Sequence, residues 1–218
     1  MAVKTWGANS TITTADLNSY VANPMLRMIY GTSNLLNAPE TVYDSTLGFR
    51  WFGTGLFTSE FENYRLVLPL TNNMAGGALT YWWYLRFTVA GVANTTANYS
   101  YQVMRNNTAA AQANVNGSGL TESLVCEAAG VTGVSRLQQS FEIDIYCPQI
   151  ATKTSYAGRG GGYQTATGNY QQMLTAGGFN GNTQFDGLCL YARAPLGALP
   201  NAGQVGEGPL YLYGYVQT

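Results

Sequence analysis

Glu142 and Asp144 stand two residues apart in Phe141-Glu142-Ile143-Asp144-Ile145-Tyr146-Cys147-Pro148, and Glu60 and Glu62 repeat the spacing. On extended backbone such side chains point to one face about 7 Å apart, which would suit the paired carboxyl groups of a glycosidase. They form the acid–base set that is left, because the chain contains no histidine. Without one there is no Ser-His-Asp or Cys-His nucleophile system and no imidazole base or metal ligand. Carboxylates spaced this way are equally the ordinary solvated charge of an exposed strand, and we read no catalytic residue in them.

Other chemistry is no better supported. Cys126, Cys147 and Cys189 are widely spaced, each in an apolar or strand-like context, and with no Cys-x-x-Cys pair they make a poor zinc set. They read as reduced thiols packed like small hydrophobes. The tract Gly158-Arg159-Gly160-Gly161-Gly162 lacks the Gly-Lys-Ser/Thr ending of a phosphate loop, and no calcium loop occurs. We therefore expect neither cofactor nor metal, and no enzyme.

Tyrosines remain. Tyr156, Tyr163 and Tyr170 recur among Gln, Thr, Asn and Gly between Thr152 and Gly181, a mixture of rigid amphipathic rings and adaptable polar groups seen on recognition surfaces. A thirty-residue interval without strong periodicity reads as a functional or mobile loop. Contact with a saccharide-bearing surface and burial in a subunit interface both fit it. A second candidate face lies on Tyr81-Trp82-Trp83-Tyr84-Leu85-Arg86-Phe87-Thr88-Val89. Alternation puts Trp83, Leu85, Phe87 and Val89 toward a core and Trp82, Tyr84 and Arg86 together on the other side. Those three types are enriched at binding hot spots, and packing beneath a loop would use them as well.

The elements that must carry these residues are strands. Period-two patterns span Gly48 to Phe52, Tyr64 to Leu70, Leu79 to Val89, Asn98 to Arg105, Glu122 to Cys126, Gln139 to Cys147, Phe185 to Tyr191 and Pro209 to Val216. Between them lie turn-rich separators such as Gly91 to Thr96, Asn106 to Gly119 and the long tract 152–181. With no βαβ alternation, the expected fold is all-β: an antiparallel two-sheet β-sandwich, jelly-roll-like, over residues 38–218.

Residues 1–37 read as an arm. Thr14 can cap a short helix carrying Leu17, Tyr20 and Val21 on one face, and Pro24 can open a second carrying Leu26 and Ile29 toward Gly31. Helices this short do not persist alone in water, so the arm, with Trp6 near its start, must dock on its own sandwich, a neighbouring subunit or a larger particle.

Composition points toward assembly. Only 10% of residues are charged and the formal net charge is −1, against about 25% charged in ordinary globular chains, so little electrostatic repulsion separates copies. The ten Lys and Arg are scattered singly and make no basic stripe for nucleic acid. No apolar run is long enough for a signal or a membrane span.

Both ends of the chain carry a resemblance. A Phe-Asp-Gly-Leu strand (Phe185 to Leu188), a loop and a final strand ending in Tyr213-Gly214, together with Trp6 and the opening Ile12-Thr13-Thr14-Ala15-Asp16-Leu17-Asn18-Ser19-Tyr20-Val21, resemble β-sandwich structural proteins of tailed-bacteriophage virions. The resemblance implies a non-enzymatic virion component made in the host cytoplasm. It would be a homotrimer of the head-decoration or fibre type, bound to other virion proteins through the arm residues Trp6, Leu17, Tyr20, Val21, Leu26 and Ile29. A receptor-binding fibre module reading host glycan through the 152–181 tract is the alternative.

Overall fold

The computed structural model describes residues 26–32, 41–44, 48–73, 81–107, 110–128, 135–164, 169–193 and 208–216. The described residues are all-β, in two antiparallel sheets. The larger contains β1 (Leu26–Thr32), β4 (Asn63–Asn73), β7 (Tyr99–Asn107), β8 (Ala110–Leu120), β10 (Ser135–Tyr146), β11 (Thr154–Gln164), β12 (Asn169–Phe179) and β14 (Leu210–Tyr215). Its spatial order is β1-β14-β4-β10-β11-β12-β7-β8. The smaller contains β2 (Thr41–Asp44), β3 (Gly48–Gly53), β5 (Tyr81–Val89), β6 (Val92–Ala93), β9 (Ser123–Ala128) and β13 (Gly187–Arg193). It runs β2-β3-β13-β5-β6, with β9 alongside the first half of β5.

The inner faces meet in an aromatic core. Phe87 of β5 lies 4.8 Å from Phe185, which lies 5.1 Å from Phe179 of β12, itself 5.0 Å from Tyr99 of β7. Trp83 meets Phe141 across the layers at 6.1 Å. Each fully buried ring of this kind contributes about 2–3 kcal/mol from water exclusion. Alternation holds on the strands that show it in sequence: Tyr64, Leu66 and Leu68 on β4, Phe141, Ile143 and Ile145 on β10, and Leu210 and Leu212 on β14 are all buried. Trp83, Leu85 and Phe87 are buried as expected, whereas Val89 is 41% exposed. It sits at the rim, beside a two-residue turn whose Ala90 and Gly91 both have positive φ (50° and 75°), the geometry of a type I′ hairpin.

The Phe-Asp-Gly-Leu motif has a structural job at that rim. Phe185 is core, and Asp186 accepts hydrogen bonds from the Thr88 hydroxyl at 2.6 Å and the Gly91 amide at 2.9 Å, so it ties down the β5–β6 turn. Gly187 lies so close to the Gly53 carbonyl of β3 that a Cβ would collide with it.

Three segment expectations change; one is the separator Asn106 to Gly119, most of which is strand β8 (Ala110–Leu120) paired with β7. Leu26 to Gly31 belongs to a strand paired with β14, not to a helix, so the larger sheet begins at Leu26. A register shift between Met28 and Tyr30 explains the misreading: the irregularity breaks period-two alternation and leaves apolar residues at Leu26, Ile29 and Tyr30. The earlier part of the arm, with Trp6, Leu17, Tyr20 and Val21, lies outside the described residues. The tract 152–181 is largely a hairpin, β11 paired with β12 over eleven positions. Its glycines hid it, and packing requires them: Gly158 and Gly160 face Ile143 and Phe141 of β10, and a Cβ at Gly158 would strike the Glu142 carbonyl.

Candidate functional site

Each sheet has a second face, and the two differ. On the smaller sheet the candidates Trp82, Tyr84 and Arg86 share their face with Tyr191 of β13. Tyr84 stacks on Tyr191 with ring centres 5.6 Å apart, and the Arg86 guanidinium lies 5.0 Å above the Tyr191 ring. Arg86 also donates to Glu122 at 2.9 Å and to the Thr121 carbonyl at 3.0 Å, while the Tyr191 hydroxyl donates to the same Glu122 carboxylate. Glu122 is 5% exposed and Tyr84 and Tyr191 are buried. Such a carboxylate is tolerable because donors, Arg86 and Tyr191 among them, compensate its lost hydration. This cluster is internal cohesion, with Trp82 half-buried at its edge.

The outer face of the larger sheet is open. Along β14, Tyr211, Tyr213 and Tyr215 alternate with the buried Leu210, Leu212 and Gly214, forming a half-exposed row in which the first two rings lie 6.5 Å apart. Beside it Arg65 of β4 grips Asp144 of β10 through two hydrogen bonds of 2.7 and 2.8 Å, and the Tyr215 hydroxyl donates to Asp144 at 2.6 Å. Burial pushes the Asp144 carboxyl up, but the hydrogen bonds from Arg65 and Tyr215 and the Arg65 charge outweigh it and hold the group below the usual carboxylate range. Tyr215 moves the other way, to about 12, through burial and its bond to the Asp144 carboxylate.

Further along this face Glu142 pairs with Arg159 of β11. Next to that pair a groove of about 750 Å³ opens across five strands, with Val67, Met104 and Leu174 among its lining. Met104 and Leu174 are direct cross-strand partners, 40% and 58% exposed.

The suspected carboxylate pairs are thus taken apart by the fold. Glu142 and Asp144 do share a face, but each engages its own arginine. Glu60 and Glu62 lie in the turn before β4 rather than on a strand: Glu60 pairs with Arg27, and Glu62 accepts a long contact from the Cys147 thiol at 3.6 Å. None of the three cysteines is in a disulfide; Cys126 and Cys189 are buried and Cys147 is half-buried. Among the described residues no cluster of three or more His, Cys, Asp or Glu could hold a metal, and no helix is long and apolar enough to cross a membrane.

The loop tyrosines separate too. Tyr156 is 2% exposed, its hydroxyl 2.8 Å from the Ser123 hydroxyl and donating to the Leu124 carbonyl at 2.9 Å, so it is core rather than a recognition residue. Burial raises its pKa. Tyr163 and Tyr170 are opposed positions near the end of the β11–β12 hairpin, their side chains outside the described residues. Leu26 and Ile29, proposed as anchors, are half-buried parts of β1. Sequence reasoning missed the β14 row as a site. Its signal is the Leu-Tyr alternation from Leu210 to Tyr213, which by itself indicates only a strand.

No family model matches the chain, and no curated protein matches it. Among solved structures it is similar to the CBM2 module of the evolved Dit of Lactobacillus casei BL23 phage J-1, at 7% identity and a TM-score of 0.26, covering 82% of this chain and 76% of that one. A likeness this loose carries no functional argument.

Proposed function

We propose that the chain is a non-enzymatic structural protein of a tailed-bacteriophage virion, a trimeric decoration or fibre component attached to the particle through the residues that precede β1. The observation that carries this reading is the outer face of the larger sheet. Among the described residues its carboxylates Glu142 and Asp144 are engaged by arginines, and the rest of the face includes amides, hydroxyls, tyrosines, Val67 and the Met104–Leu174 pair. A broad, nearly neutral face with exposed apolar side chains suits contact with other protein better than acid–base chemistry. The resemblance of both chain ends to phage structural proteins, and the low charge, point the same way.

The test is attachment. Full-length chain should bind particles lacking it and show by light scattering the mass of three copies or of a multiple of three. A chain without residues 1–24, which leaves β1 intact, should keep its mass and lose attachment. Undiminished attachment of the shortened chain would remove the anchor.

The β14 row favours a second reading, recognition of host-surface glycan. Half-exposed rings in a line, beside polar groups whose charges are already paired, suit the apolar faces of neutral sugars. Tyr211→Ala with Tyr213→Ala should then slow adsorption to host cells at least tenfold, whereas Tyr163→Ala with Tyr170→Ala tests the hairpin end instead. Unchanged adsorption in both would remove the receptor role.

A further inference from the structure

The two edges of the larger sheet are not alike. An edge strand presents unpaired N–H and C=O groups that template pairing with another strand, and proteins suppress this with charges, proline, bulges or short edges. β1 carries such devices: Arg27 and the register shift between Met28 and Tyr30. In the smaller sheet β2 is four residues long and ends on Asp44, and β6 has two residues.

β8 has few of these protections. It runs eleven residues, Ala-Ala-Gln-Ala-Asn-Val-Asn-Gly-Ser-Gly-Leu, with no charge and no proline. Its register with β7 is irregular only toward its ends, and Ala113 to Ser118 pairs without interruption. Among the described residues no strand lies on its other side.

The middle of this edge is also close to symmetric. In Ala113-Asn114-Val115-Asn116-Gly117, reversal of direction exchanges Asn for Asn and one small residue for another. Asn114 and Asn116 are exposed on the outer face and Val115 is half-buried on the inner one, where it faces Val103. A twofold axis through Val115 would set a second β8 antiparallel to the first. Asn114 would lie opposite the partner subunit's Asn116, and the converse, while the two Val115 side chains met on the inner face. Cross-strand amide and β-branched pairs of this kind are favourable, and with no charge on either strand nothing repels.

We infer that β8 is a self-complementary interface through which two copies of this chain join their larger sheets into one continuous antiparallel sheet. The contact is isologous. It is independent of the arm and of any threefold contact: alone it makes dimers, and with a threefold contact it joins trimers in pairs.

The test is the solution mass of the full chain beside the double variant Asn114→Lys/Asn116→Lys. Both side chains face solvent, so the fold should persist, with far-UV circular dichroism and melting unchanged in kind, while lysines block the edge. The wild type should show an even number of copies and the variant half that mass. Val115→Cys should form an intermolecular disulfide on mild oxidation, while Gln102→Cys, exposed on β7 but away from the edge, should not. An odd number of copies in the wild type, equal masses for wild type and variant, or no Val115→Cys cross-link overturns the proposal. Whether the mass falls from six to three or from two to one reports separately on the trimer.

Discussion

The smaller sheet's second face and the larger sheet's outer face are made of the same materials, tyrosine, arginine and carboxylate, and use them differently. On the smaller sheet Arg86, Glu122, Tyr84 and Tyr191 close on one another with Glu122 at 5% exposure. On the larger sheet Arg65, Asp144 and Tyr215 make a similar triad at the surface, among residues that stay open. Burial turns an arrangement into structure, and partial exposure leaves it available for recognition.

The largest expected effect breaks the buried cluster of Arg86, Glu122 and Tyr191. Arg86→Met strands the Glu122 carboxylate with fewer donors, and loss of one partner of a buried ion pair costs about 3–5 kcal/mol. For a chain this long that lowers Tm by roughly 10 °C. A loss below about 1 kcal/mol in urea unfolding would mean that water reaches Glu122, and the contrast between the faces would fall.

The matching change on the open face should matter less. Arg65→Met removes a pair whose partners are partly exposed, and solvent screening limits the cost to about 1 kcal/mol. If the two arginine variants melt alike, burial is not what separates the sheets.

Acid titration sharpens the same point. Asp144 has a lowered pKa when folded, so the unfolded chain binds the proton more readily and stability rises with pH through that window. The contribution is complete above the unfolded carboxylate value of about 3.9 and is lost as pH falls through the folded value. Asp144→Asn should therefore unfold with a shallower dependence on pH below about 4 than the wild type. Equal slopes would show that the Arg65 and Tyr215 contacts do not hold in solution.

The smallest effect is expected at Leu174→Gln. With the side chain 58% exposed, stability should stay within about 0.5 kcal/mol. A larger loss would show Leu174 to be covered in the folded chain.

What could be read from sequence depended on side chains that alternate. β4, β5, β10 and β14 announced themselves because large apolar residues recur every second position, and the core rings Trp83, Phe87 and Phe141 followed. β8, β11 and β12 did not. Their inward positions are partly Gly, Thr and Gln, and Gly158 is small because Ile143 on the neighbouring strand is large; complementarity across strands leaves no periodic trace within either one. β1 was misread because its register shift disturbed the same alternation.

The candidate site divided along the same line. Sequence by itself determined that the chain is β-rich, nearly uncharged and without histidine, since composition and local period are properties of the chain alone. Only the tertiary structure decided that Tyr156 is core, that Tyr84 and Arg86 are closed in, and that the β14 tyrosines are open. Whether a strand's second face meets water depends on which distant segments pair beside it and pack across it, and those contacts are set by register and layer packing.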